Sequence, residues 1–416
     1  MQSEQTGKPR VAHPQRKQGV IRFEMPEDTL APSDPARVLW DIVGTLDLAA
    51  FLAGAKAVVG VAGRATLSPR MKLTLWLYAI SQGIGSAREI ARLTVTDAAY
   101  RWIVGDLEVS HHALSAFRVG HSEALDTLMT DVLASLMHKG VLSLQLVAQD
   151  GMRVRAWASA PSFRSYGSLL ACREQAALHL KAVLAAADDP ETSAAQKAAR
   201  EAAARDFQRR VEEAITTVKD LQKGRSADKP ARASTTDPEA RVMKMADGGF
   251  RPAYNVRMAT AGSEMGGPRT IIGVQVTNVG SDMGSIRPML DEIEERAGRL
   301  PKTLLADANH AAHECIRDAA RRGVQALVAV PDRSKDSGPN AANDAPIVEW
   351  RNRMQTEEAQ DLYRARAGLC ELMNAHLRSH HGVNQFLVRG VGKVTCVALL
   401  AALASNLLQH AATLLG

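Results

Sequence analysis

The stretch Leu146–Ser159, "LVAQDGMRVRAWAS", carries an acid where a β-strand should carry a hydrophobe. Counting back by twos from Asp150 gives Ala148, Leu146, Leu144 and Leu142, so the carboxylate is in phase with the apolar face of a period-two run. A second apolar run, "KTLLAD", closes on Asp307 and is too short for a helix, which suits a buried central strand. Burying an ionised acid without a partner is costly, and a divalent cation is one partner that offsets the cost. Asp307 also has a simpler reading, as the cap of the element that follows it.

Working outward, "AYNVRMATA" and "RTIIGVQVTN" read as strands, followed by a helix begun at Ser285 with Ile286, Leu290, Ile293 and Ala297 on one face. "KTLLAD", "HECIRDAARRG" and "VQALVAV" then alternate strand, helix, strand. The order predicts an α/β (α+β) fold, a mixed sheet with helices on its faces. After the opening strand comes an Ala/Glu/Arg/Lys-rich segment, 170–223, entered through Asp189-Pro190. Its Phe207, Val211, Ala214, Val218 and Leu221 form one apolar seam, so it reads as an inserted helical hairpin. "GRSADKPARASTTDP" (224–238) is the body of a polar linker over 224–240.

Residues 1–35 read as a flexible, slightly basic arm. From 36 to 140 the pattern is helical, with Ser86 and Ser110 placed to cap successive helices. That spacing admits a helix-turn-helix as well as an ordinary bundle. A polar loop, "DRSKDSGPNAANDAP", precedes a long helical C-terminus. Its most apolar part, Val397 to Leu415, is interrupted by Ser405, Asn406, Gln409 and His410 and reads as a buried helix, not a membrane span.

The composition, 46% hydrophobic and 23% charged, is that of a soluble globular protein, and a net charge of +6 permits a polyanionic partner without requiring one. The four cysteines form no CxxC pair, which argues against a zinc knuckle or a disulfide framework and for a reducing cytoplasm. No apolar N-terminal core of signal-peptide type is present.

Beyond Asp361 a single acid, Glu371, stands among Arg378, Arg389, Lys393 and four histidines. On a regular helix Arg364, Glu371 and Arg378 share a face, a carboxylate between two guanidiniums that suits a metal beside a phosphate. The alternative is a solvated residue paired with a neighbouring arginine. "RGVGKVT" (389–395) lacks the upstream glycine and the Ser/Thr directly after lysine of a phosphate-binding loop, so Lys393 is read as meeting DNA phosphate or a helix C-terminus. "HAAHEC" (310–315) reads as an ordinary first helical turn and not a zinc site, and Trp102, Trp157 and Trp350 as core, with base stacking the alternative.

Five stretches, "LVAQDGMRVRAWASAPSFRS", "TTDPEARVMKMADGGFRPAYNVRMA", "LLADANHAAHECI", "YRARAGLCELMNAHLR" and "FLVRGVGKVTCVALLAALASNLLQH", occur in the order found in bacterial insertion-sequence transposases of the DDE type. With "LSPRMKLTLWLYAISQGIGSAREIARLTVTDAAYRWIVG" upstream, the chain resembles that family from about residue 40 to its end. The resemblance implies a helical, DNA-binding-type domain over 36–140 and a ribonuclease-H-like catalytic domain over 141–416. The family's three metal-binding acids fall on Asp150, Asp307 and Glu371, which implies two Mg²⁺ ions, with Mn²⁺ able to substitute. The family's signature around the last acid falls on Tyr363, Arg366, Glu371 and Arg378. Arg153, Arg364, Arg389 and Lys393 join Tyr363, Arg366 and Arg378 as expected DNA contacts.

Departures are local. Asn309 and His310 stand where the family often has glycine and an aromatic, and Leu372 and Asn374-Ala375 where it often has proline and phenylalanine-glycine. Arg366 lies five residues before Glu371, which on a regular helix points it away from the acid. The resemblance implies cleavage of double-stranded DNA at element ends and joining of the 3′-hydroxyl to target DNA, by a homodimer or larger assembly in the bacterial cytoplasm, associated with the nucleoid and no membrane. A catalytically inactive DNA-binding derivative and a structure-specific nuclease with the same core are the competing readings.

Overall fold

A computed structural model of the chain describes residues 23, 25–53, 65–186, 193–226, 228–263, 265–331 and 344–416. Among the described residues six α-helices come first: α1 (Pro35–Gly44), α2 (Pro69–Ser81), α3 (Ala87–Thr96), α4 (Ala98–Val104), α5 (His111–Gly120) and α6 (Ser122–His138). Local signals start and stop them. The side chains of Ser86 and Ser110 cap α3 and α5, and Gly105 closes α4 in the left-handed conformation. Asp97 ends α3 and caps α4, so a third helix stands between the two serine-capped ones and they do not form a simple helix-turn-helix. Most of the expected N-terminal arm lies outside the described residues, but Pro26–Thr29 form a 3₁₀ turn tied to α1 by an Arg37–Glu27 ion pair.

The sheet follows: β1 (Leu146–Arg155), β4 (Arg241–Lys244), β5 (Phe250–Ala261), β6 (Thr270–Thr277), β7 (Thr303–Ala306) and β8 (Gln325–Val328), with a separate pair β2 (Phe163–Arg164) and β3 (Ala233–Ser234). The order across it is β6-β5-β1-β7-β8, with β4 sharing the outer edge of β5. β6, β5 and β1 are antiparallel neighbours, while β7 and β8 run parallel to β1. Helices α9 (Ile286–Ala297) and α10 (His313–Arg321) make the crossovers. This is a mixed α/β fold consistent with a ribonuclease-H-like core behind a helical N-terminal unit.

Between β2 and β3 run α7 (Tyr166–Ala185) and α8 (Ala194–Gln222). Val211, Ala214 and Val218 of the seam are buried with Leu169, and Phe207 and Leu221 flank them. The expected entry through Asp189-Pro190 lies outside the described residues, and α8 starts on a Ser193–Gln196 capping box. The polar "linker" is not a free tether. Ala231, Ala233, Ser234, Asp237 and Ala240 are buried, because β3 pairs with β2 and the Tyr254 hydroxyl donates to both Asp237 oxygens at 2.8 and 2.9 Å.

The C-terminal part holds α11 (Ala345–Arg353), α12 (Glu357–Arg366), a π-turn (Ala367–Glu371), α13 (Leu372–Ser379), α14 (Val391–Gln409) and α15 (Ala411–Leu415). α12, the π-turn and α13 form one continuous rod. α14 is apolar enough on length and composition to cross a membrane, yet it is packed between β6 and the N-terminal helices α2 and α6. Of the three tryptophans expected in the core, Trp350 is buried with its indole N–H donating to Val328 and Trp102 is half-buried, but Trp157 is 43% exposed, on the turn that leaves β1.

Candidate active site

β1 pairs with its parallel neighbour β7 only through Ala148–Leu305, whereas its antiparallel pairing with β5 continues to Arg155. Asp150 is therefore not at a strand end, as its sequence suggested, but in mid-strand at the point where one neighbour has stopped. Leu146 and Ala148 on the same face pack on Leu305, Leu327, Leu369 and Cys370, and two residues further on that face opens. Asp307 stands one residue past the end of β7, two beyond the last registered pair, just as Asp150 is on β1. Glu371 comes from the facing rod.

Asp150 and Glu371 line one open cleft of about 1160 Å³, together with Asn309, Asn374, Arg378 and, on the opposite side, Arg241 and Lys244 of the β4–β5 hairpin. Each acid has its own partner. Asp150 accepts from Asn374 Nδ2 at 3.1 Å and from the Gly151 N–H at 2.9 Å. Burial pushes its carboxyl above the usual range, Gly151 and Arg366 pull it back in part, and the charge of Asp307 pushes it further up. Asp307 accepts from the Asn309 N–H at 2.9 Å and faces His310 Nδ1 at 2.6 Å. Burial raises Asp307, but His310 and Asn309 outweigh it and hold it below the usual range. Asp307 is thus a cap, its simpler reading, and it also faces the field of Asp150. His310 is fully buried and its Nε2 has no partner.

Glu371 pairs with Arg366 Nη2 at 2.5 Å. On an α-helix the two would stand roughly 140° apart. The π-turn between them, with its i→i+5 periodicity, brings them to one face. The same turn breaks the expected Arg364–Glu371–Arg378 stripe: Arg364 pairs with Asp361, away from the cleft. Arg366 also lies 5.8 Å from the ring centre of Tyr363, so Tyr363 meets the guanidinium beside the third acid. Arg378 lines the cleft and donates to the Arg153 carbonyl at 3.3 Å.

Arg153 is held from behind. Its guanidinium donates to Asp282 Oδ2 at 2.9 Å and to the Gly280 carbonyl at 2.8 Å. Asp282, 3% exposed, is also bound by Arg257 Nε at 3.1 Å and Asn255 Nδ2 at 2.6 Å. A Cβ on Gly151 would lie 2.5 Å from Asp282 Oδ1, so only glycine after Asp150 lets this network close beneath the strand. Asp282 and Asn255 were not read as site residues. The Asp-Gly pair at 150–151 was the available signal. Arg389 and Lys393 lie elsewhere, in a second cleft with Arg205, Arg209 and Arg210 of α8. Lys393 is in the first turn of α14, not at a helix C-terminus.

Among the described residues no three His, Cys, Asp or Glu side chains converge closely enough to hold an ion as they stand. The donor chemistry nevertheless suits hard divalent cations: the carboxylates of Asp150 and Glu371 line an opening with cations and amides, and Asp307 acts on Asp150 through its charge. Binding would exchange the present partners Asn374, His310 and Arg366 for the ion.

Comparison with protein families defines the class. Residues 26–119 match a transposase domain (DUF772), and residues 340–411, which include Glu371, match a transposase DDE domain. The two matches, which together span less than half of the chain, indicate an insertion-sequence transposase of the DDE type, a family that generally uses divalent metal ions. Asp150 and Asp307 fall between the two matched segments. No curated protein and no solved structure matches the chain.

Proposed function

We propose that this transposase cuts DNA at the ends of its element and joins the freed 3′-hydroxyl to target DNA in the cleft that holds Asp150 and Glu371. The observation that carries the reading is the matched offset of Asp150 and Asp307 beyond the last β1–β7 pair, with Glu371 facing them from the rod. Asp150, Asp307 and Glu371 would hold two Mg²⁺ ions, or Mn²⁺ in their place. When bound, such ions neutralise charge on the phosphate and activate water for in-line attack.

The chain's own groups supply the rest. β1, locked by β5 and by the Asp282 network, aims Asp150 from a rigid element. Arg378 on one wall and Arg241 and Lys244 on the other face a DNA backbone lying in the cleft. Arg366 holds Glu371 until the cations compete for it. In this reading residues 36–140 form a DNA-binding unit, residues 141–416 the catalytic domain with 170–223 inserted, and the active species on DNA is a homodimer or larger.

The test is cleavage of a DNA fragment bearing the element end, with wild type and Asp150→Asn, in Mg²⁺ or Mn²⁺. Cleavage that needs the metal and vanishes in the variant, while DNA binding persists, supports the reading. Binding without cleavage by the wild type would mark an inactive derivative. Cleavage without end joining would mark a nuclease.

A further inference from the structure

Behind α13, on the side away from the acids, a cavity of about 560 Å³ is lined by Ser81, Arg269, Met373, His376, His380 and His381. His376 and His380 are one helical turn apart on α13 and its cap and are exposed, with ring centres 4.9 Å apart and planes inclined by 37°. The His381 ring stands 4.8 Å from that of His376. His381 is 6% exposed and neither of its ring nitrogens has a hydrogen-bond partner. The His376 carbonyl is near enough to act on the ring electrostatically, but not in hydrogen-bonding geometry.

A neutral imidazole carries one donor and one acceptor, and burying both unpaired costs about 1–3 kcal/mol per group. Such a ring points to something that fills its lone pair. Two imidazoles on one tetrahedral ion, with nitrogens at about 2.0–2.1 Å from it, stand roughly 5 Å apart centre to centre, close to the spacing of these rings. Burial lowers the pKa of both His376 and His381, so both offer free lone pairs at neutral pH.

We propose that His376 and His380 form a binding site for a borderline-soft divalent transition metal ion, Zn²⁺ being the reference case, and that His381 joins as a third ligand. As the side chains stand the three rings do not converge on one point, so His381 joins by rotation about its side-chain bonds. No carboxylate lines the cavity and Arg269 brings a positive charge to it. The site therefore selects for imidazole-loving ions and against Mg²⁺, which demands oxygen ligands. It is distinct from the acid cleft, although it grips the helix that carries Asn374 and follows Glu371.

The test is titration of the full chain with Zn²⁺ in excess Mg²⁺, followed by calorimetry, and with Co²⁺, followed by its visible absorption. The expected result is one saturable site that weakens by about tenfold or more in His376→Asn and in His380→Asn, as happens when even a supporting group at a metal site is lost. These two residues are exposed, so the variants keep the fold. His381→Gln should also weaken binding, and unchanged affinity there would remove it from the ligand set. The proposal is overturned if no saturable site appears in excess Mg²⁺, if both helix variants bind as the wild type does, or if Asp150→Asn is the variant that abolishes binding.

Discussion

The side chain of Asn406, in the last turn of α14, pairs with both backbone polar groups of Ile271, accepting from its N–H at 2.9 Å and donating to its carbonyl at 2.7 Å. Ile271 is on β6, at the edge of the sheet, where no further strand supplies these bonds. Beside it, Gln409 accepts from the Arg269 N–H at 3.1 Å, and the His410 ring meets the Thr270 hydroxyl at 2.8 Å. Polar interruptions of an apolar helix thus stand in for a missing strand.

Asn406→Leu should destabilise the protein by about 2–4 kcal/mol, because it leaves a buried N–H and a buried carbonyl unpaired together. Asn406→Asp, which keeps the acceptor, should cost less at low pH than at neutral pH. Urea melts with equal slopes would measure both, and a Leu variant within about 0.5 kcal/mol of wild type would show that water reaches Ile271.

Gly382→Ala should be equally damaging. Gly382 has φ +66° and its Cβ would lie 2.5 Å from the carbonyl oxygen of Gly83, backbone against backbone with no flexible side chain to yield. A loss of at least about 2 kcal/mol is expected. Since the contact joins the α2–α3 turn to the α13–α14 connection, the melt should also lose cooperativity.

Asn374→Asp should set a second carboxylate against Asp150. In chelator the variant should lose about 1–3 kcal/mol at neutral pH and recover as pH falls, since one acid of the pair then takes up a proton. Millimolar Mg²⁺ should raise its melting temperature more than that of wild type. A variant as stable as wild type in chelator would mean that Asn374 and Asp150 are apart in solution.

Burial, reinforced by His376 and His380, lowers His381 from 6.5 to about 4. The unfolded chain therefore binds this proton first as pH falls. The stability is fully present above pH 6.5 and declines down to about pH 4, by on the order of 3 kcal/mol in chelator. His381→Gln should flatten that part of the curve, and an unchanged slope between pH 6.5 and 4 would rule this origin out.

How much of this was legible differs from residue to residue. The phase of Asp150 and the brevity of "TLLAD" pointed to the right strands because period and length are local properties. The π-turn was not legible, since "AGLCE" has no composition that marks it, and the Arg364–Glu371–Arg378 stripe failed for that reason. Arg153, expected as a DNA contact, lines the cleft, but its pairing with Asp282 was not legible because that partner arrives from more than a hundred residues away and leaves no local trace. Asn374 was visible only as a departure from the family, and its contact with Asp150 became clear once the rod was laid across the strands.

The placement of α14 also sets a timetable. The helix that fills the space between β6, α2 and α6 is synthesised about 270 residues after α6 ends. At elongation rates of about 5–20 residues per second that is a wait of roughly 15 s to a minute. Throughout it, the apolar faces of the early helices that α14 will cover are without their partner. A nascent chain cut short before Val391 would carry those faces permanently, and such fragments should be bound by chaperones or degraded.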